Sequence, residues 1–241
     1  MKESSDKKTF RPLQKIFTSV PPKYDFLNRL LTLWFDQNWR KKAVEKILDK
    51  NPRRVLDLGT GTGDLALRIA KKGGKKVEVH GLDFSKPMLE LARMKAQKLG
   101  LDRIEFQFGD AAAIPFDTGY FDALGIAFAF RNLTYRNPDT QKFLSEILRV
   151  LRTGGRFVAV ETSQPDNPIL RKLFHLQMKY LTYPLGSLLS GEKEAYKYLA
   201  ESSIRFYKPT EMKEILLKAG FSKVKYTQLT GGVAALWVCT K

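Results

Sequence analysis

The chain has 241 residues, 43% of them apolar, with one cysteine, Cys239, and two histidines; that is enough for a full hydrophobic core and too little sulfur or imidazole for an internal disulfide or a structural zinc site. Its formal charge of +17 implies an acidic partner, either nucleic acid or anionic lipid, or else a lysine-rich surface of the thermophilic kind. No apolar run approaches the ~20 residues that span a bilayer, and the start, MKESSDKKTF, lacks the apolar segment of a secretory signal, so a soluble, cytoplasmic protein able to touch a membrane is expected.

Residues 1–15 are polar and charged, the composition of a loose N-terminal arm, and a single domain is expected over 16–241. From Pro22 to about Lys50, apolar residues recur at helical spacing: Leu27, Leu30, Leu31 and Trp34, then Ala43, Val44, Ile47 and Leu48. This predicts two helices within 16–50, ahead of the main fold. A continuous apolar strand follows over 53–59 (RRVLDLG), then a helix over 64–73 closed by Gly73. The next strand covers 76–83 (KVEVHGLD), and the next helix 85–100, with Ser85 as cap and Gly100 as stop. Strands over 103–110 and 121–130 (FDALGIAFAF), a helix over 137–152 and a fifth strand over 155–162 continue the alternation. Such repeats predict an α/β fold with a doubly wound parallel sheet and helices on both faces.

The segment 164–208 breaks the rhythm. It is helical in pattern and rich in aromatics, among them Phe174, Tyr180, Tyr183, Tyr196 and Tyr198. After a helix over 209–220, strands over 222–229 and 233–240 are separated only by Thr230, Gly231 and Gly232. They should form an antiparallel hairpin at the sheet edge, making seven strands in all.

The strongest chemical motif is VLDLGTGTGDLA, where a buried strand runs into Gly59, Gly61 and Gly63 and then a helix. Glycines let the backbone turn sharply and approach a ligand beside the positive end of the helix. A dinucleotide fingerprint would carry a small residue where this chain has Asp64. A carboxylate there suits a cationic ligand better than a diphosphate, and no Gly-Lys-Ser/Thr marks a P-loop. Asp83 ends the second strand, 20 residues after Gly63, where a carboxylate accepts from ribose hydroxyls or caps the following helix; Phe84 lies beside it. Asp110 ends the third strand and would accept from an adenine amino group, face the ligand's charged part, or start a turn. Asp57 either orients the glycine loop or is purely structural. Two acids at strand ends after this loop point to S-adenosylmethionine, whose sulfonium and ammonium favour carboxylates.

With these pieces, the chain closely resembles the ubiquinone/menaquinone biosynthesis methyltransferases. The likeness is carried by YDFLNRLLTLWFDQNWRK (24–41), FAFRNL (128–133), RVLRTGGRFVAVETSQP (149–165) and LTGGVAAL (229–236). The resemblance implies a Rossmann-like class I methyltransferase fold, with the N-terminal helices and the 164–208 insertion covering the active site and holding an isoprenoid tail. It implies C-methylation of a polyprenylated quinol ring, demethylmenaquinol to menaquinol or a 2-polyprenyl-6-methoxy-benzoquinol in ubiquinone biosynthesis, without a metal. It also allows a homodimer. Thr62, Asp83, Asp110 and Ala111 match the family's cofactor positions, in a set completed by Asp57, Gly59, Gly61, Gly63, Phe84 and Ala127. Tyr24, Arg131 and Asn132 match positions that face the reacting ring. The chain departs from the family pattern at Leu27, Thr32 and Asp36, where Met, Ser and His are usual, at Thr153 for Pro, and at Ala127 for Ser.

Methylation at carbon needs an electron-rich ring, and a phenol pKa near ~10 leaves little phenolate at neutral pH. The site must take a proton or stabilise the phenolate. Arg131, always protonated, suits the second task, with Asn132 orienting the quinol oxygen or a water. Asp110, through that water and Tyr24, is the expected proton acceptor, with His175 as the alternative. Two rivals stand beside this reading: methylation of another lipophilic phenol, and a basic nucleic-acid-binding protein that retains the fold. Against the latter, no Asn-Pro-Pro-Tyr motif follows the fourth strand; Phe130-Arg131-Asn132-Leu133 stands there.

Overall fold

The computed structural model describes residues 24–241, except for the side chains of Tyr24 and of residues 26–28. The expected arm over 1–15 lies outside the described residues. Helices α1 (Tyr24–Leu31) and α2 (Phe35–Leu48) precede the sheet. Then come β1 (Arg54–Leu58), α3 (Asp64–Gly73), β2 (Glu78–Asp83), α4 (Lys86–Lys98), β3 (Glu105–Phe108) and β4 (Phe121–Ala127). A short α5 (Phe130–Thr134), α6 (Thr140–Val150) and β5 (Leu151–Thr162) complete the parallel part. The insertion comprises α7 (Pro168–Gln177), a π-turn (Met178–Thr182), α8 (Tyr183–Ser190) and α9 (Lys193–Ile204). Helix α10 (Pro209–Lys218) leads to β6 (Lys223–Leu229) and β7 (Ala234–Thr240). No helix among the described residues is long and apolar enough to cross a membrane.

The seven strands lie in the order β3-β2-β1-β4-β5-β7-β6. Strands β1 to β5 are parallel, and β7 runs antiparallel between β5 and β6. Successive residues of a strand face opposite sides, so each central strand feeds two cores. Val158 and Val160 join Ile47, Leu65, Ile69 and Leu89 on one face. Phe157 joins Phe121, Leu144, Ile147, Leu216 and Trp237 on the other. The expected doubly wound sheet and hairpin are therefore present, and Trp39 Nε1 ties α2 to the hairpin turn by donating to Thr230 Oγ1 at 2.9 Å.

The fourth strand ends earlier than its apolar run. The Phe128 N–H makes a last bond to the Val160 carbonyl, and φ of Phe128 is then +61°, a left-handed conformation rare for a bulky residue. The chain turns there, and Phe130 begins α5 with its ring fully buried edge-on to Phe157 at 5.5 Å. Apolarity continued because Phe130 is core, not because the strand continued. Arg131 consequently sits in the first turn of a helix instead of at a strand tip. The fifth strand also begins earlier than expected, at Leu151, with a register break between Phe121 and Ala123 of its neighbour.

Candidate active site

The carboxyl ends of the five parallel strands open on one cavity of about 250 Å³, closed on the far side by α1, the π-turn and α9. Ligands of open parallel sheets bind at this end. The glycine loop forms its floor. Gly59 has φ +65°, and a Cβ there would meet the Ala129 Cβ at 2.8 Å. Gly61 has φ +53°, yet a Cβ there would meet nothing within 4 Å. Loop backbone at Gly61 is thus bare toward the cavity, as a close ligand requires.

Two carboxylates brace this loop. Asp57 is 1% exposed and accepts from Thr60 Oγ1 at 2.7 Å and from the Ala66 N–H at 2.9 Å. The latter satisfies an open donor in the first turn of α3, whose cap position is a glycine without a side chain. Burial pushes the Asp57 carboxyl up to about 7, against the pull of these hydrogen bonds. Asp83 accepts from the Gly61 N–H at 2.8 Å and the Ser85 N–H at 2.9 Å. Burial also raises it, with only backbone donors opposing. Ser85 does occupy the cap position of α4, but its side chain makes no capping hydrogen bond. Two buried carboxylates on a cavity floor, without a close ion-pair partner among the described residues, favour a ligand that brings positive charge and hydroxyl donors. S-adenosylmethionine has both.

Beside the floor lies a charge cluster that spacing alone did not disclose. Lys95 of α4 reaches Asp64 at 2.5 Å, Asp25 of α1 at 2.8 Å and Thr62 Oγ1 at 3.0 Å. Thr62 in turn donates to Asp25 at 2.7 Å, and Arg29 pairs with Asp64 at 3.2 Å. Burial pushes the Asp64 carboxyl up, but Lys95, Arg40 and Arg29 outweigh it and hold it below the usual range. Two of the departures from the family pattern are each other's partners: Thr32 Oγ1 donates to Asp36 at 3.1 Å. Asp36 also pairs with Arg40, whose guanidinium lies 4.7 Å over the Phe128 ring.

At the β4 and β5 end, Arg131 is 3% exposed and faces a residue missed at the sequence level, Glu161, which is fully buried. Arg131 Nη1 donates to Glu161 Oε1 at 2.9 Å and to Thr162 Oγ1 at 2.8 Å, and its backbone N–H reaches Glu161 Oε2 at 3.1 Å. The Nε of Arg131 is buried and has no partner among the described residues. Asn132 accepts at Oδ1 from the Tyr198 hydroxyl of α9 at 3.3 Å. Burial raises the Tyr198 phenol, with Arg131 opposing and Glu161 assisting, so it stays a donor. Two further cavity hydroxyls, Thr182 and Ser203, are buried without a partner among the described residues.

Of the expected site residues, Asp57, Gly59, Gly61, Thr62, Asp83, Phe84, Ala111, Ala127, Arg131 and Asn132 line this cavity. Gly63 sits just behind it, at the cap of α3. Tyr24 opens α1, but its side chain lies outside those described. Asp110 is exposed, and its carboxylate accepts the Ala112 N–H at 2.8 Å in a local turn. It follows β3, three strands from β4, or roughly 14 Å at the usual spacing. The structure therefore does not bring Asp110 to Arg131; it leaves it at the Asp83 end, beside Gly109 and Ala111 of the cavity wall. His175, the alternative base, hydrogen-bonds Gln164 at 2.8 Å and is not among the cavity residues. A sequence signal for Glu161 existed: an acid inside the apolar strand Val-Ala-Val-Glu-Thr must find a buried cation.

The profile of the ubiE/COQ5 methyltransferase family matches residues 1–241. Among curated relatives, the demethylmenaquinone methyltransferase of Thermus thermophilus is 45% identical over 92% of this chain and 98% of its own length. The ubiquinone/menaquinone biosynthesis C-methyltransferase UbiE of a Geobacter species is 39% identical over 95% and 96%. Among solved structures, a SAM dependent methyltransferase from Aquifex aeolicus shares the fold with a TM-score of 0.59 and 21% identity, over 99% of both chains. Sequence over the whole length, strand order and a cavity floored by a glycine loop and two buried carboxylates agree, and the chain belongs to the ubiE/COQ5 methyltransferase family of S-adenosylmethionine-dependent enzymes.

Proposed function

We propose that this protein C-methylates the ring of a polyprenylated quinol, demethylmenaquinol foremost, and leaves S-adenosylhomocysteine as co-product. The observation that carries this reading is the buried Arg131 guanidinium on the cavity wall, held by Glu161 and Thr162 through Nη1 and with Nε and Nη2 unpaired among the described residues. A phenolic oxygen that reaches Nη2 gains a donor as negative charge develops. Thr182 and Ser203 supply unpaired hydroxyls for a second ring oxygen. Asn132, steadied by Tyr198, orients the first.

When bound, the cofactor supplies an electrophilic methyl group. Asp83, Phe84, Asp110 and Ala111 are the residues that would hold its adenosine. Asp57, the glycine loop with Thr62, and Ala127 would hold its charged half. The preference for demethylmenaquinol draws on relatives of that name from Thermus thermophilus, Deinococcus radiodurans and Bacteroides fragilis. A benzoquinol is the second candidate.

A polyprenyl substrate resides in a bilayer, so the reading includes peripheral work at an anionic membrane, on its cytoplasmic face. Exposed Ile169, Leu173, Leu176 and Tyr180 recur at four, three and four residues along the insertion. Exposed Leu33, Trp34 and Phe35 stand at the α1–α2 corner. Gln177 donates to the Leu31 carbonyl at 3.2 Å and joins the two patches. Between Asp166 and Glu192 there is no acidic residue, whereas Arg171, Lys172 and Lys179 are present. Apolar side chains with cations beside them suit an anionic interface.

The test is turnover of methyl-labelled S-adenosylmethionine against demethylmenaquinol, the benzoquinol precursor and RNA. Label is expected on demethylmenaquinol at the highest rate. Labelled RNA with unlabelled quinols would replace this reading by the nucleic-acid rival.

A further inference from the structure

Arg131 poses a difficulty for any role at a developing oxyanion, because its charge is already matched by Glu161. The hydrogen bonds at the end of β5 resolve it. Glu161 accepts four of them: the Arg131 N–H, Arg131 Nη1, the Thr162 N–H at 2.9 Å and Thr162 Oγ1 at 3.1 Å. The Thr162 hydroxyl lies between the two charges, accepting from Arg131 Nη1 at 2.8 Å and donating to Glu161 Oε1. A hydroxyl oxygen has two lone pairs, and only one is used among the described residues. Glu161, Thr162 and Arg131 all line the cavity. Arg131 Nε is a buried donor without a partner among the described residues, and Nη2 donates to none of them. Nη1 and Nη2 share one carbon, so an oxygen that accepts the Nη2 proton on the Nη1 side stands within reach of the oxygens held at Nη1.

We propose that the Thr162 hydroxyl, backed by the Glu161 carboxylate, accepts the proton of the substrate's phenolic O–H. The inference rests on the quinol reading above. In this step the quinol O–H bond breaks and its proton joins Thr162 Oγ1, while the proton of Thr162 passes to Glu161 Oε1. The electron pair stays on the quinol oxygen, which becomes a phenolate facing Arg131 Nη2. Charge is conserved locally: Arg131 pairs with Glu161 before the step and with the phenolate after it. The guanidinium becomes free to stabilise the oxyanion when Glu161 takes the proton. Other groups near the ring are less suited. Arg131 does not deprotonate, Tyr198 is a donor to Asn132, and Asp110 and His175 do not line the cavity.

Thr162→Val keeps the shape and removes the hydroxyl, and Thr162→Ser restores it. A 1-naphthol absorbs differently as phenol and phenolate, so its ionisation in the site can be titrated spectrophotometrically with no methyl donor present. Wild type and Thr162→Ser are expected to ionise bound naphthol at a pH lower by about one unit or more than Thr162→Val. The Val variant should also lose roughly 10²-fold in kcat, with S-adenosylmethionine affinity by calorimetry within about twofold. Equal naphthol ionisation in wild type and Thr162→Val, no ionisation in either, or a Ser variant as slow as Val overturns the proposal. Wild-type enzyme inactive on demethylmenaquinol would instead remove the substrate assignment, because the naphthol titration requires no turnover.

Discussion

Asp57 couples the stability of the protein to its ligand. Its folded pKa of about 7 lies above the ordinary value of 3.8 because of burial. A carboxyl raised on folding costs nothing when both states are protonated, and stability is lost as pH rises from about 4 through about 7. Asp57→Asn preserves the oxygen that accepts from Thr60 and Ala66 and removes the buried charge. It should raise the Tm of the ligand-free protein by roughly 2–5 °C at pH 8 and leave it unchanged near pH 4, read by calorimetric scans. The same substitution should weaken S-adenosylmethionine binding, since a cationic ligand favours the charged carboxylate. In wild type, affinity should fall as pH drops below about 7, by up to about tenfold per unit. Proton release, read from the dependence of binding enthalpy on buffer, should accompany binding there. Arg131→Lys tests the other end of the cavity. Lysine cannot donate in a fork to Glu161, Thr162 and a substrate oxygen together. Turnover should drop about 10²- to 10³-fold while cofactor affinity holds, and full activity would refute the oxyanion role.

At the scale of elements, Lys95 of α4 fastens two pieces of chain that are distant from it and from each other in sequence: α1 through Asp25, and the glycine loop with the start of α3 through Thr62 and Asp64. Lys95→Met should leave the sheet intact, with Tm within about 3 °C. It should speed amide exchange in α1 and weaken cofactor binding about tenfold, because the helix that roofs the cavity loses its clamp. Unchanged exchange in α1 would show that apolar packing alone seats it. The limits of sequence reading follow the same division. Local signals were reliable: helix α3 spans 64–73 as its pattern and closing Gly73 implied, and Asp83 stands at a strand end as its spacing implied. What depended on contact across the sheet was not legible. Alternation and apolarity cannot tell a strand residue from a helical residue packed in the core, so Phe130 read as strand. Sequence takes Asp64 only as compatible with a cationic ligand and awkward for a diphosphate, and does not disclose that Lys95, 31 residues on, pairs with it. Glu161 and Arg131 are 30 residues apart, and no local pattern joins them.

For the whole molecule, the membrane reading proposed above has the charge of +17 act together with the exposed apolar side chains of the insertion and the α1–α2 corner. Binding to vesicles containing phosphatidylglycerol should therefore weaken as salt rises. A Leu173→Glu, Leu176→Glu double variant changes two exposed side chains and should bind such vesicles about tenfold less tightly, while keeping turnover on a detergent-dispersed short-chain quinol. Salt-independent binding would leave the charge unconnected to lipid. The strand order has a consequence for synthesis. Strand β7 is translated after β6 yet enters between β6 and β5, and its Ala235 pairs with Glu161. A ribosome paused before Ala234 has already made every residue of the cavity. The nascent chain at that moment leaves the outer edge of β5 bare and β6 without a sheet to join. Chaperone capture of the emerging protein should therefore persist until β7 is released, however complete its chemistry already is.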